Sequence, residues 1–208
     1  MSTTKIEGSA RDRLLAAADE LFYQEGVHTV GIDRVIERAG VAKASLYSAF
    51  GSKEELVRAY LQGRADRRRA RIEQRIALYD NPRDRILAIF ELLGELVAAP
   101  SFRGCAFVNA SAETPRDDGK VNQVCSAMRS WTRSLLNDLA RELGAADPEQ
   151  LGRQLALLYD GVLVAAAMDR DPSAALEAKA MVAALLDAQE KSGARQSRAA
   201  KKKARQRD

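Results

Sequence analysis

Imidazole is almost missing from this 208-residue sequence: His28 is the single histidine, and it follows the helix stop expected at Gly26, in a turn. One histidine and two cysteines, Cys105 and Cys125, are too few ligands for a Cys/His zinc site. The same scarcity removes triad or imidazole acid–base chemistry everywhere except at His28, so neither an enzyme nor a bound cofactor is expected. Long apolar runs are missing too. The longest, "VLVAAAM" from Val162 to Met168, is far shorter than the roughly 20 residues of a membrane-spanning helix. Residues 1–20 hold no apolar stretch of the secretory-signal kind, so no membrane partner and a cytoplasmic location are expected. Aromatics are 5% of the chain and β-branched alternation is nearly absent, whereas Ala and Leu dominate, which predicts an all-α fold without sheet.

What is present begins with charge in the wrong place for a simple basic protein. The net charge is +4, but residues 191–208, "KSGARQSRAAKKKARQRD", hold eight Lys or Arg against one Asp, so the rest of the chain carries −3. A polar basic run without an apolar stripe predicts a disordered tail over residues 192–208, able to hold polyanions nonspecifically or merely to solubilise.

Helix starts are marked by Asn81-Pro82, Asp147-Pro148 and Asp171-Pro172, each an acceptor side chain before a proline, and by a capping box in Ser52-Lys53-Glu54-Glu55. Stops fall at Gly26, Gly40, Gly51 and Gly144. The resulting map has nine helices, near 9–25, 32–39, 43–49, 52–79, 82–98, 105–112, 118–143, 148–169 and 173–191. In the first three, Leu14, Ala18, Leu21 and Phe22, then Ile32, Val35, Ile36 and Ala39, then Leu46 and Phe50, form inward stripes. A helix, a short turn at Gly40 and a second helix is the helix-turn-helix pattern. It leaves Lys43, Ala44, Ser45, Tyr47, Ser48 and Ala49 on the outer arc of the third helix.

The stretch "LLAAADELFYQEGVHTVGIDRVIERAGVAKASLYSAFGSKEELV" resembles the TetR family of bacterial transcriptional regulators: helix 1, a Gly turn, helix 2, "AGV", the "LY…F" recognition helix and the "SKEEL" start of helix 4. The segment "FRGCAFVNASAE", Phe102 to Glu113, is similar to one found in a subset of these regulators. The resemblance implies a DNA-binding domain over residues 1–52 that continues into helix 4, and a ligand-binding and dimerisation domain over 53–191. It further implies a homodimeric repressor that leaves a palindromic operator when an unidentified small molecule binds. By position, Lys43, Ala44, Ser45, Tyr47, Ser48 and Ala49 would contact DNA and Lys53 a phosphate. The chemistry fits. Lysines neutralise phosphate, Ser45 and Tyr47 can donate to its oxygens, and small Ala44 and Ala49 allow close approach to thymine methyls. Ala42 and Gly31 stand where the family often has a capping Ser or Thr, and Ser48 and Ala49 are small where larger base-reading residues are common.

Effector candidates follow from spacing in the later helices: Phe90, Leu93, Phe107, Asn109, Met128, Trp131, Tyr159 and Asp160. Plain core packing is the competing reading for the apolar members. Trp131, the single tryptophan, offers a large face and an N–H donor. Asn109 and Glu113 either orient a ligand or satisfy a buried helix end. Cys105 suggests a second regulator type, a redox or electrophile sensor, because a helix N-terminus favours thiolate. The apolar run around "LALLYDGVLVAAAM" needs cover on more than one side, which points to a dimer interface through Leu155, Val162, Ala166, Val182 and Leu186. From other classes, a helical small-molecule enzyme and a tail-driven nonspecific nucleic-acid binder remain as alternatives.

Overall fold

Among the described residues of the computed structural model, which comprise the backbone of 8–115 and 119–204 and side chains as far as Gln189, there are nine helices and no strand. They are α1 (Ala10–Glu25), α2 (Ile32–Ala39), α3 (Lys43–Phe50), α4 (Lys53–Ile76), α5 (Pro82–Val97), α6 (Ala106–Glu113), α7 (Gly119–Glu142), α8 (Pro148–Asp169) and α9 (Ser173–Ala204). The all-α expectation holds.

The acceptor-proline signals act as capping chemistry predicts. Asn81 Oδ1 accepts from the Asp84 N–H at 2.8 Å, and Asp147 Oδ1 from the Gln150 N–H at 2.8 Å. After Asp171 the helix begins past the proline, at the mapped start of 173. The Asp171 carboxylate takes the Ser173 hydroxyl at 2.6 Å and the Ser173 N–H at 2.9 Å, bonds that hold its pKa below the ordinary value. A capping box also opens α1, between Ser9 and Asp12. Two helix ends differ from expectation by more than one residue. α4 stops at Ile76 rather than 79, because the Leu78 and Tyr79 N–H groups turn back to carbonyls three residues earlier. α9 runs to Ala204, so the segment expected as a disordered tail is helical through that residue; Ala, Lys, Arg and Gln are strong helix formers and no proline intervenes. Residues 205–208 lie outside the described residues.

The chain divides into two compact units, and the cuts do not fall where the 1–52 and 53–191 division puts them. The first unit holds the chain up to Arg69 together with Cys105–Arg129, hence α1–α3, most of α4, α6 and the start of α7. Its core joins Leu14, Ala18 and Phe22 of α1, Val35 of α2 and Leu46 of α3 to Leu56, Tyr60 and Leu61 of α4. α4 belongs here because its side chains grip α1. Tyr60 meets Phe22 edge to face at 5.7 Å, and Arg64 lies 3.8 Å over Tyr23 while binding both Asp19 oxygens at 3.0 and 2.9 Å.

The second unit holds Ala70–Gly104 and the chain from Ser130 onward. Phe90 of α5 and Tyr159 of α8 meet edge to face at 6.3 Å, and Ile86, Ile89, Leu136, Leu151 and Leu163 are buried in the same unit. Lys179 to Glu91 at 2.7 Å and Arg85 to Glu142 at 3.0 Å tie its surface. α7 and α8 approach closely at Gly152: a Cβ there would lie 1.7 Å from Asn137 Oδ1. The dimer-interface expectation needs correction here. Leu155, Val162, Ala166, Val182 and Leu186 are all buried within this unit's own core. The exposed apolar face is the other one: Leu157 (69% exposed), Val164, Met168 (77%), Leu176 (73%) and Met181. With two apolar stripes, α8 is long and apolar enough to cross a membrane by length and composition, but one stripe is packed into the unit as in any core helix.

Candidate nucleic-acid interface

Backbone geometry at Gly40 makes the turn that presents α3. Gly40 is left-handed (φ 61°, ψ 47°), its N–H reaches the Glu37 carbonyl at 3.1 Å, and the Val41 N–H reaches Ile36 at 3.3 Å, closing α2. Arg13 of α1 donates to the Gly40 carbonyl at 3.4 Å, fixing the turn to the unit. Ala42 is the N-cap residue of α3 and gives no side-chain cap, as the sequence predicts, and the Ser45 N–H bonds to the Ala42 carbonyl at 2.9 Å. Leu46 is fully buried, so the helix sits on its inner residue. Lys43, Ala44, Tyr47 and Ser48 are exposed, and Ser45 and Ala49 are half-buried at the edges. Tyr47, 47% exposed, projects its ring outward rather than packing fully on α1.

Among the described residues, Lys43, Arg34 and Lys53 on this face each have a partner. Lys43 Nζ lies 3.0 Å from Asp33 Oδ1, a bond that raises the lysine pKa, and Arg34 pairs with Glu25. Lys53 donates to the His28 carbonyl at 3.3 Å, and burial pushes its pKa down against the opposing pull of Glu113. Beside it, Ser52 Oγ accepts from the Glu55 N–H at 3.1 Å, the expected cap of α4. The reciprocal half of the capping box is replaced: the Glu55 carboxylate takes Lys120 and Arg58, each at 2.7 Å, and both bonds hold its pKa low.

Glu113, at the end of α6, reaches the turn between α1 and α2 and accepts from the His28 N–H at 2.8 Å. Here Glu113 satisfies a backbone group of the α1–α2 turn, 85 residues away, rather than a buried helix end. Gly26 makes this possible. Its φ of 97° with ψ of 150° is a glycine region, and a Cβ would lie 2.7 Å from Glu113 Oε2. Gly26→Ala is therefore expected to destabilise the protein by about 2 kcal/mol through backbone strain and to detach Glu113. Adding Glu113→Ala removes the clash but not the strain, so most of the loss in Tm should persist in the double variant, measured by thermal unfolding.

The effector candidates are spread over both units. In the first, Phe107 and Met128 are buried and Asn109 is exposed on α6, so Asn109 is not the enclosed orienting group that its apolar neighbours suggested. In the second, Phe90, Leu93 and Tyr159 are buried, and Trp131 and Asp160 are half-buried. Phe90 and Tyr159 are brought together by their ring contact. A groove of about 420 Å³ between α1 and α4 is lined by Asp12, Leu15, Asp19, Tyr60 and Arg67, none of them an expected ligand residue. Cys105 is the N-cap residue of α6, buried, with Arg68 Nη1 at 3.7 Å from its sulfur and the same guanidinium 5.3 Å over Phe107. Cys125 is buried and free, its thiol pushed up to about 11 by burial.

Asp33, Arg13 and Glu113 are the residues of this surface whose roles sequence reasoning missed. Asp33 left a faint trace, as the acid in the first turn of a helix that Gly31 cannot cap by side chain.

Comparison with known proteins agrees with this geometry. Residues 14–60 match the family model described as bacterial regulatory proteins, tetR family. The crystal structure of SCO4454, a TetR-family transcriptional regulator from Streptomyces coelicolor, superposes with a TM-score of 0.82 and 33% identity, covering 86% of this chain and 95% of that one. The reduced form of NemR from Escherichia coli superposes with a TM-score of 0.73 at 26% identity, over 84% of this chain and 95% of that one. The transcriptional activator FasR of Mycolicibacterium smegmatis is 37% identical over 87 residues, and the matched region spans 42% of this chain and 40% of that activator.

Proposed function

The chain belongs to the TetR family of bacterial regulatory proteins and is a DNA-binding transcriptional regulator rather than an enzyme, and from that premise we propose that it is a homodimeric cytoplasmic repressor released from a palindromic operator by a small molecule. The observation that carries this reading is the outer face of α3. Ala44, Ser48 and the edge residue Ala49 leave the helix thin enough to lie against base edges, while Ser45 and Tyr47 stand where they can hold the phosphates on either side and Lys43 stands exposed in the first turn. Lys53 uses one of its three donors on His28 and keeps two for phosphate, beside the free N–H groups at the start of α4.

The experiment is selection of fragments from the protein's own genome followed by footprinting. Two protected half-sites, one helical turn or more apart, are expected. Tyr47→Phe or Lys53→Ala should then weaken binding to all duplexes alike, by roughly three- to tenfold, whereas Ala49→Leu should change which operator is preferred. Unaltered preference in Ala49→Leu means α3 does not lie in the groove.

Signal transmission is supported by the Glu113 contact. Because α6 ends on the α1–α2 turn, any displacement of α6 by an effector pulls on the backbone that carries the reading helix. Phe90, Leu93, Trp131, Tyr159 and Asp160, all of the second unit, are the residues we propose for effector contact; Phe107 and Met128 belong to the first unit and are not part of that set, and Asn109 is set aside for its exposure.

A thiol-sensing variant of this function has one observation in its favour, the Arg68 guanidinium that donates to the Cys105 sulfur at 3.7 Å and so places a cation beside the thiol. Burial pushes the Cys125 thiol up to about 11, which disfavours it as the reacting thiol. Peroxide or an alkylating agent should lower operator affinity in the wild type and not in Cys105→Ser; equal response of the two proteins removes this reading.

A further inference from the structure

The inference rests on the DNA-reading role given above to α3 and concerns how that role is made selective. α3 carries one charged side chain, Lys43, and no acid. In the free protein its ammonium donates to Asp33 Oδ1 at 3.0 Å, and both side chains are well exposed, 58% for Lys43 and 80% for Asp33. The pair therefore sits on the surface that would face the duplex and is not a core ion pair holding the fold. Asp33 belongs to the first turn of α2, Lys43 to the first turn of α3, so the contact bridges the two helices of the reading motif across the Gly40 turn. Nearby, Arg34 is paired with Glu25, and Lys53 lies beside Glu113. The surface is thus internally neutralised, on a chain whose portion before residue 191 carries a net −3.

Nonspecific DNA affinity comes from phosphate neutralisation and counterion release, which a pre-paired lysine does not supply and an adjacent carboxylate opposes. Base edges behave differently. Guanine O6 and N7 accept from a lysine, and a carboxylate finds a donor in the cytosine amino group of the major groove, whereas the phosphate backbone offers a carboxylate none. We propose that Asp33 is a specificity-determining residue: it keeps Lys43 from neutralising phosphate on non-operator duplex and yields it only where the groove floor offers both groups partners. Asp33 also lies at the start of α2, where a negative charge favours the helix dipole, so its test needs a readout that a merely structural role would not move.

That readout is the salt dependence of binding by the full-length protein to two probes, the genomic fragment it selects and a scrambled duplex of equal length. Asp33→Asn is expected to tighten binding to the scrambled duplex about fivefold and to steepen its log–log salt slope by about one per head. It should tighten the selected fragment less, so the specificity ratio falls. In a Lys43→Gln background the same substitution should change the slope by less than half as much. An unchanged ratio in Asp33→Asn, or an equal effect with and without Lys43, overturns the proposal, the latter by reducing Asp33 to bulk charge. A wild-type protein that binds both probes equally would instead overturn the DNA-reading role itself. A change in Tm with no change in slope would assign Asp33 to the stability of α2 and also refute the proposal.

Discussion

Gly152→Ala should lower the stability of the protein by about 3 kcal/mol, seen as a fall in Tm of roughly 10 °C. The sign is the informative part. In a helix interior, glycine to alanine ordinarily stabilises, by about 1 kcal/mol. Here the new Cβ would stand 1.7 Å from Asn137 Oδ1, 2.7 Å from its Cγ and 3.0 Å from its Cα, so both the side chain and the α7 backbone must give way. Asn137 Oδ1 is buried without a conventional donor, and the missing Cβ direction of Gly152 points at it, which makes a Cα–H···O contact its nearest polar satisfaction. Asn137→Ala should restore part of the loss in Gly152→Ala, because two of the three short contacts disappear and the backbone one stays. A rise in Tm for Gly152→Ala would show that α7 and α8 do not cross this closely.

The second large effect concerns assembly. Leu157→Asp combined with Met168→Asp should convert the proposed dimer to a monomer in sedimentation equilibrium, and operator affinity should fall by about 100-fold or more as the two heads lose their linkage. Both residues lie on the exposed stripe of α8 and contact no core, so thermal unfolding of the monomer should remain cooperative. Leu155→Asp provides the contrast: fully buried, it should unfold the second unit instead. A doubly substituted protein that stays dimeric would place the interface elsewhere.

That contrast also shows where reading from sequence reached its limit. α8 carries apolar residues on two stripes, 155-159-162-166 and 157-161-164-168, and periodicity alone does not say which one the chain keeps for itself. Burial decides it. The stripe with Leu155 and Tyr159 has Phe90 of α5 to pack against, and among the described residues the one with Leu157, Val164 and Met168 is left exposed. The helices themselves were legible because their starts are local: Asn81 and Asp147 bond within three residues, and Gly40 closes α2 with its own turn. The outer arc of α3 was equally legible, since one inward residue, Leu46, settles the orientation of eight. Partners of the charged groups were not. Lys43 with Asp33, Lys53 with the His28 carbonyl and Glu113 with the His28 N–H depend on how helices are placed in space, which no spacing pattern encodes. The end of α9 was misjudged for another reason: a basic run reads as solvated tail, although its residues are also good helix formers.

The chain passes between its two compact units after Arg69, Gly104 and Arg129. A head with new DNA specificity therefore cannot be grafted on by a single crossover near residue 52, because such a graft would pair one parent's α1–α3 with the other's α4, α6 and first turns of α7. Tyr60 would face a foreign Phe22, and Glu113 a foreign turn. Recombination between such regulators is compatible with folding only where those contacts match on both sides, so reading helices are more readily retuned by substitutions on the outer arc of α3 than exchanged whole.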